Sequence, residues 1–277
     1  MLKIYGFFDL YQPKIQEMTV SEFQSKVANA KDLDFGTIFN QSIELFKKSW
    51  LQGFLMQLFV FILILPFMII LYVPFVLMII NQSESGQLDP NAMDGIFTGF
   101  SMFYILLFLV GVLVIAALQM ALNAAFYRIL RSLDEGREVK TSDLFYFMKA
   151  QYFGKIVLLM LVTVLIALPA ALFFYLPLIY VMVPISFFSI IFAFNTEWSI
   201  GDIVSSGFRL GNKKWLITFG LFVVSYVAIM VLSFVTCGLG GLFLAPFMFH
   251  PIYFIYKGAI GFDDLSELNR IGEKEVF

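Results

Sequence analysis

Residues 36–50 read GTIFNQSIELFKKSW, and residues 201–215 read GDIVSSGFRLGNKKW. Shifted by 165 positions, Gly36/Gly201, Ile38/Ile203, Leu45/Leu210, Lys48/Lys213 and Trp50/Trp215 coincide. That is five matches in fifteen, against about one expected by chance. Each phrase stands directly before a long apolar run. In the first, Ile38, Phe39, Ser42, Ile43 and Phe46 fall on one helical face, with Asn40, Gln41, Glu44, Lys47 and Lys48 opposite. In the second, Ile203, Val204, Gly207, Phe208 and Gly211 oppose Ser205, Ser206, Arg209 and Lys213. The pattern predicts amphipathic helices lying in a membrane interface before the chain turns inward.

Composition requires a membrane. Hydrophobic residues make up 60% of the 277-residue chain and charged residues 14%, whereas soluble domains carry about 25% charged residues. The mean hydropathy is +0.88, and 35 residues are Phe. Only lipid or a very large partner covers that much apolar surface. The single cysteine, Cys237, excludes a disulfide within the chain and any cysteine-based metal site. The first residues carry Lys3 and Asp9 among interrupted apolar residues, so no cleavable signal is expected and residues 1–33 read as a retained cytoplasmic segment.

Four apolar blocks follow: Leu51–Ile80, Gly95–Tyr127, Ile156–Asn195 and Trp215–Tyr256. A span needs about 20 residues, so the last two each divide, at YLPLIY and at the glycine-rich TCGLGG. Pro66 and Pro74 interrupt the first block, which is read as one long, kinked and tilted helix. The fold class is therefore all-α: a polytopic protein of six spans in three hairpins, each preceded by an amphipathic helix. The spanning region is residues 34–262, with tandem units 34–131, 141–196 and 199–262, and a polar tail at 263–277. The middle lead-in, TSDLFYFMKAQYFGK, is the weakest copy, carrying Leu144, Phe147, Met148 and Gln151 at the same spacing.

Charge placement fixes the expected orientation. Six spans put the loops at 81–94, 175–183 and 235–242 on one side, and none contains Lys or Arg. All 18 basic residues fall on the other side, so both termini are expected in the cytoplasm. Lys47, Lys48, Lys213 and Lys214 are expected to snorkel to anionic head groups, with Trp50 and Trp215 at the interface level. Thr19–Glu22 and Ser199–Asp202 read as capping pairs, and Asp34 as a cap of the first amphipathic helix.

FGTIFNQSIELFKKSW, with its partner SIGDIVSSGFRLGNKKWLITFGLF, resembles bacterial YciC-like membrane proteins. Their relatives include the membrane domain of some glycerophosphodiester phosphodiesterases. The resemblance covers about residues 34–262 and rests on a small residue, an amphipathic turn, basic residues and an aromatic at the membrane entry. It implies a six-helix fold in a bacterial cytoplasmic membrane and hardly constrains activity.

The search for chemistry finds little. Ionisable groups at membrane depth usually mark function, and the spans hold almost none. His250, the one histidine, lies between Pro246 and Pro251; it reads as the partner of a carbonyl freed by Pro251, or alternatively as a proton relay. Gln119 and Asn123 share a face of the second span, as an interhelix hydrogen-bonding pair or as the wall of a polar cleft that includes His250. Arg128, Arg131, Arg137 and Lys140 form the densest basic cluster, interleaved with Asp134, Glu135 and Glu138. That mixture reads as a solvated loop or a lipid anchor and not as a nucleic-acid patch. No HExxH, CxxC, GxSxG or phosphate-cradling loop occurs, so no catalytic set, metal or cofactor is expected. The N-terminal run with Tyr5, Phe7, Phe8 and Tyr11 is too short to span and reads as a membrane- or partner-binding segment. The expected function is a non-enzymatic membrane subunit that binds partner membrane proteins or organises lipid. The alternative is a transporter or lipid-handling protein with a cleft between hairpins.

Overall fold

The computed structural model describes residues 18–85, 102–173 and 175–262. The N-terminal aromatic run with Tyr5, Phe7, Phe8 and Tyr11, and the tail from residue 263, lie outside the described residues. The chain is an all-α polytopic membrane protein, with no strand among the described residues. Six helical stretches are long and apolar enough to cross a membrane: Phe35–Ile70, Ile105–Asp134, Ala150–Leu172, Leu176–Phe194, Trp215–Val235 and Leu239–Ile260.

Helix α1 (Val20–Ala28) opens at Thr19, whose hydroxyl accepts the Glu22 amide at 3.2 Å. Helix α2 (Phe35–Ser85) opens at Asp34, whose carboxylate takes the Thr37 amide at 2.7 Å and its hydroxyl at 2.6 Å. These contacts satisfy amides that the first helical turn leaves unbonded. They also hold the Asp34 carboxyl below its ordinary pKa, the Thr37 hydroxyl contributing most. The first amphipathic phrase is not a separate interfacial helix. It runs straight into the span, making α2 51 residues long, about 76 Å at 1.5 Å per residue.

Helix α3 (Met102–Asp134) pairs with α2. The middle lead-in, Thr141–Met148, is a 3-10 helix and not an amphipathic α-helix. It stops at Lys149, which caps α4 (Ala150–Leu172), so Gln151 belongs to the span. Its Leu144 and Phe147 are nevertheless buried, as their spacing implies. The chain turns at Tyr175, which adopts positive φ (61°), into α5 (Leu176–Ser186) and α6 (Phe188–Phe194).

Helix α7 (Ile200–Lys213) is the second amphipathic phrase, with Ser199 capping the Asp202 amide at 3.2 Å. This copy does break from its span: Lys214 leaves helical geometry before α8 (Trp215–Val235) begins. The last span turns at Cys237 and Gly238, both at positive φ. It then comprises α9 (Leu239–Leu244), a 3-10 turn Ala245–Met248 holding Pro246, and α10 (Phe249–Ile260).

Burial divides every span in the same direction. In α2, Ile38, Leu45, Met56 and Val60 are buried, whereas Phe61, Ile69 and Ile79 are exposed. In α3 the far residues Ile105–Leu107 are exposed, whereas Ala121, Leu122 and Ala124–Tyr127 are buried; in α8 Leu221 is buried and Phe234 exposed. The core therefore gathers at the end carrying the basic residues, here called the charged end. The far half presents apolar side chains outward. Helix α1 belongs to that core: Phe23 is fully buried against Trp198 (5.4 Å between rings) and Tyr256, and the Trp198 indole donates to the Met18 carbonyl.

Candidate functional site

The stripe 38, 42, 45, 49 on α2 and its counterpart 203, 207, 210, 214 around α7 are both buried. Each ends in a polar residue turned inward, Ser49 in one and Lys214 in the other. Ser49 meets His250, with the Oγ–Nε2 distance 2.7 Å. The other ring nitrogen, Nδ1, lies 3.1 Å from the Pro246 carbonyl and 3.2 Å from that of Phe247. Pro251 has no N–H for the residue four before it, and that residue is Phe247. With carbonyls around Nδ1, the proton sits there, and Nε2 accepts from the Ser49 hydroxyl. The imidazole is fully buried among Phe46, Phe126 and Phe247. Both nitrogens are thus occupied in joining the first span to the broken last one, in line with the carbonyl-partner reading of this residue.

The expected cleft of Gln119, Asn123 and His250 is not assembled. Gln119 is exposed on α3 and Asn123 half-buried, and the hydrogen bonds of His250 go to Ser49, Pro246 and Phe247. The cause lies in the facing of α3: Gln119 stands between Ala117 and Ala121, both buried, and therefore on the side of the helix turned away from the packed one.

The basic residues sort themselves. Lys47 pairs with Glu44 at 2.5 Å and stays exposed; Lys48, Lys213 and Trp50 are exposed as expected. Trp215 is half-buried, stacked on Phe219 and donating to the Tyr180 carbonyl at 3.1 Å. Lys214 departs from the expected lipid-facing position. It is buried, with its ammonium on the carbonyls of Ala30 and Lys31. Burial pulls its pKa below the ordinary value, more strongly than the Asp32 carboxylate raises it. Turning inward to the chain before α2 explains why the second phrase breaks where the first runs on.

A second junction closes the charged end. Asp134 accepts from Tyr253 at 2.8 Å and from Lys257 at 2.6 Å, and Arg131 pairs with Glu135 at 2.6 Å, with Arg137 on its other oxygen. The clamp between α3 and α10 is thus made by Asp134, the acid interleaved in the basic cluster, while Arg131 and Arg137 pair locally with Glu135. Arg128 points elsewhere: its guanidinium carbon stands 4.1 Å from the centre of the Tyr146 ring. The Lys149 ammonium stands 4.7 Å from the same centre. Ser49 was findable in the sequence as the next step of the buried stripe; the Tyr146 junction joins separate elements and had no such signal. Among the described residues no three His, Cys, Asp or Glu side chains gather as a metal site.

Comparison with known protein families, characterised proteins and solved structures finds no match for this chain.

Proposed function

We propose that this membrane protein is a non-enzymatic subunit that holds partner membrane proteins and organises lipid in a bacterial cytoplasmic membrane. Its charged end and both termini face the cytoplasm, and the YciC-like proteins are its relatives. One observation carries the reading: the packing is concentrated in the charged half, while α2, α3, α4 and α8 present mostly outward-facing apolar side chains through the far half. Such a surface suits lateral association, where van der Waals packing drives helix contacts. The saturated hydrogen bonding of His250 supports a structural role over a proton relay.

The second reading, a transporter, draws on a specific feature. The fourth and sixth spans are interrupted, at Phe187 and at Ala245–Met248, and transporters use broken helices around substrate sites. Gentle extraction of the tagged chain followed by native mass spectrometry of the intact complex separates the two. Stoichiometric protein partners are expected. A chain that flies alone with a reproducible small-molecule adduct would overturn the subunit reading in favour of the transporter.

A further inference from the structure

We propose that Arg128, Lys149, Tyr146 and Tyr152 form a binding site for the phosphate group of an anionic phospholipid. Both cationic groups stand over one tyrosine ring, so they are no farther apart than the sum of their distances to its centre, about 9 Å. Several other cations of the charged end are answered within the chain: Arg131 and Arg137 by Glu135, Lys257 by Asp134, and Lys155 and Lys214 by carbonyl oxygens. Among the described residues, Arg128 and Lys149 have only aromatic rings against them, Tyr146 and Phe147 for the arginine and Tyr146 for the lysine. Two positive charges within about 9 Å of each other, with no described carboxylate on either, leave the anion to come from outside.

The donors suit phosphate. A guanidinium offers a planar fork that bonds two phosphate oxygens at once, and an ammonium adds a point charge with free donors. The Tyr146 and Tyr152 hydroxyls lie 3.3 Å apart, and either can be the donor. One phenolic proton is therefore left for a ligand. The Tyr146 phenol is held below its ordinary pKa, first by the Tyr152 hydroxyl and then by Arg128 and Lys149. The site also stands where α4 enters the membrane. Beyond it Leu158, Leu161, Leu165, Leu168 and Leu172 are all exposed, at spacings that place them along one helical face. A lipid whose phosphate sits at Tyr146 would lay its acyl chain on that face, which favours a lipid over a soluble phosphate ester.

The inference rests on the reading of the chain as a lipid-organising subunit, and the two can fail separately. The test uses the full chain in nanodiscs of mixed phosphatidylglycerol and phosphatidylcholine, with lipid adducts counted by native mass spectrometry. Wild type should retain phosphatidylglycerol about tenfold better than phosphatidylcholine, because both lipids offer the phosphate but the choline cation of the second is repelled by Arg128 and Lys149. The R128Q/K149Q pair should abolish that preference, and the control pair K48Q/K213Q should keep it. Should R128Q/K149Q not fold, hydrogen exchange on wild type decides: phosphatidylglycerol must protect residues 141–153 relative to phosphatidylcholine. Displacement of the lipid by glycerol 3-phosphate would support the phosphate site and assign it to a soluble ester. Equal retention by wild type and R128Q/K149Q, or protection confined to another segment, would overturn the proposal. Protein partners without any phosphatidylglycerol preference would sink this site alone; the preference without partners would sink only partner-holding.

Discussion

Ser49 and His250 are the residues on which two distant spans depend. Ser49→Ala leaves Nε2 buried without a donor and should cost about 1 kcal/mol, near the upper range of interhelix hydrogen bonds in membranes. His250→Ala also opens a cavity among Phe46, Phe126 and Phe247, for about 3 kcal/mol in all. Unfolding by SDS titration in bicelles measures both, and equal effects would contradict the geometry. Lys214 gives a signature in pH. Its folded pKa lies below the ordinary 10.5, so between the two values the unfolded chain holds the proton that the folded chain has lost. Stability from this group therefore rises with pH approaching 10.5 and is smallest below the folded pKa. Lys214→Met should remove that rise when melting curves are compared across the alkaline range. The sequence placed Lys214 with the exposed lysines because its neighbour Lys213 is one. What distinguishes them is the approach of Ala30 and Lys31, some 180 residues away, which no local spacing encodes.

At the level of elements, the second amphipathic helix is held by close backbone approach. A Cβ on Gly211 would meet the Pro184 Cα at 2.5 Å, and one on Gly207 would strike the Phe188 ring. A Cβ on Gly201 meets nothing nearer than 3.8 Å. Gly201→Ala should thus stabilise α7 by up to about 1 kcal/mol through helix propensity, whereas Gly211→Ala should destabilise by about 1–3 kcal/mol through overpacking. Opposite signs in thermal melts, with faster hydrogen exchange across 200–213 in Gly211→Ala, are the expected outcome. The spans, the two hairpin turns in the later blocks and the capping residues Thr19, Asp34 and Ser199 were legible from apolar length, breakers and cap chemistry. The fusion of the first phrase into α2 was not. Both phrases carry the same face pattern, and the difference lies in what the residue at 49 or 214 finds to bond.

For the whole molecule, the proposed cytoplasmic placement of the charged end makes a prediction that the native chain can answer. Cys237 is exposed and sits in the far turn between α8 and α9. A membrane-impermeant maleimide should label it in intact spheroplasts, and prior blocking with that reagent should protect it from a permeant one. Labelling only after lysis would invert the orientation. Gln119 is exposed because it faces away from Ala117 and Ala121, the buried residues two positions to either side of it on α3. Periodicity places Gln119 and Asn123 on one face, but which stretch of a helix is packed depends on the lengths and breaks of all six spans.

The bond between Ser49 and His250 joins positions 201 residues apart. At ribosomal speeds of about 5–20 residues per second, some 10–40 seconds separate the synthesis of Ser49 from that of its partner. During that interval Phe46, Phe126 and Ser49 have no imidazole to close on, and the half-built bundle shows a polar seam to lipid and to the proteases and insertases around it. Synthesis order thus makes completion of the final span the event that commits the chain, and a nonsense mutation even close to the C-terminus, before codon 250, should yield a product cleared as fast as one lacking the whole third hairpin.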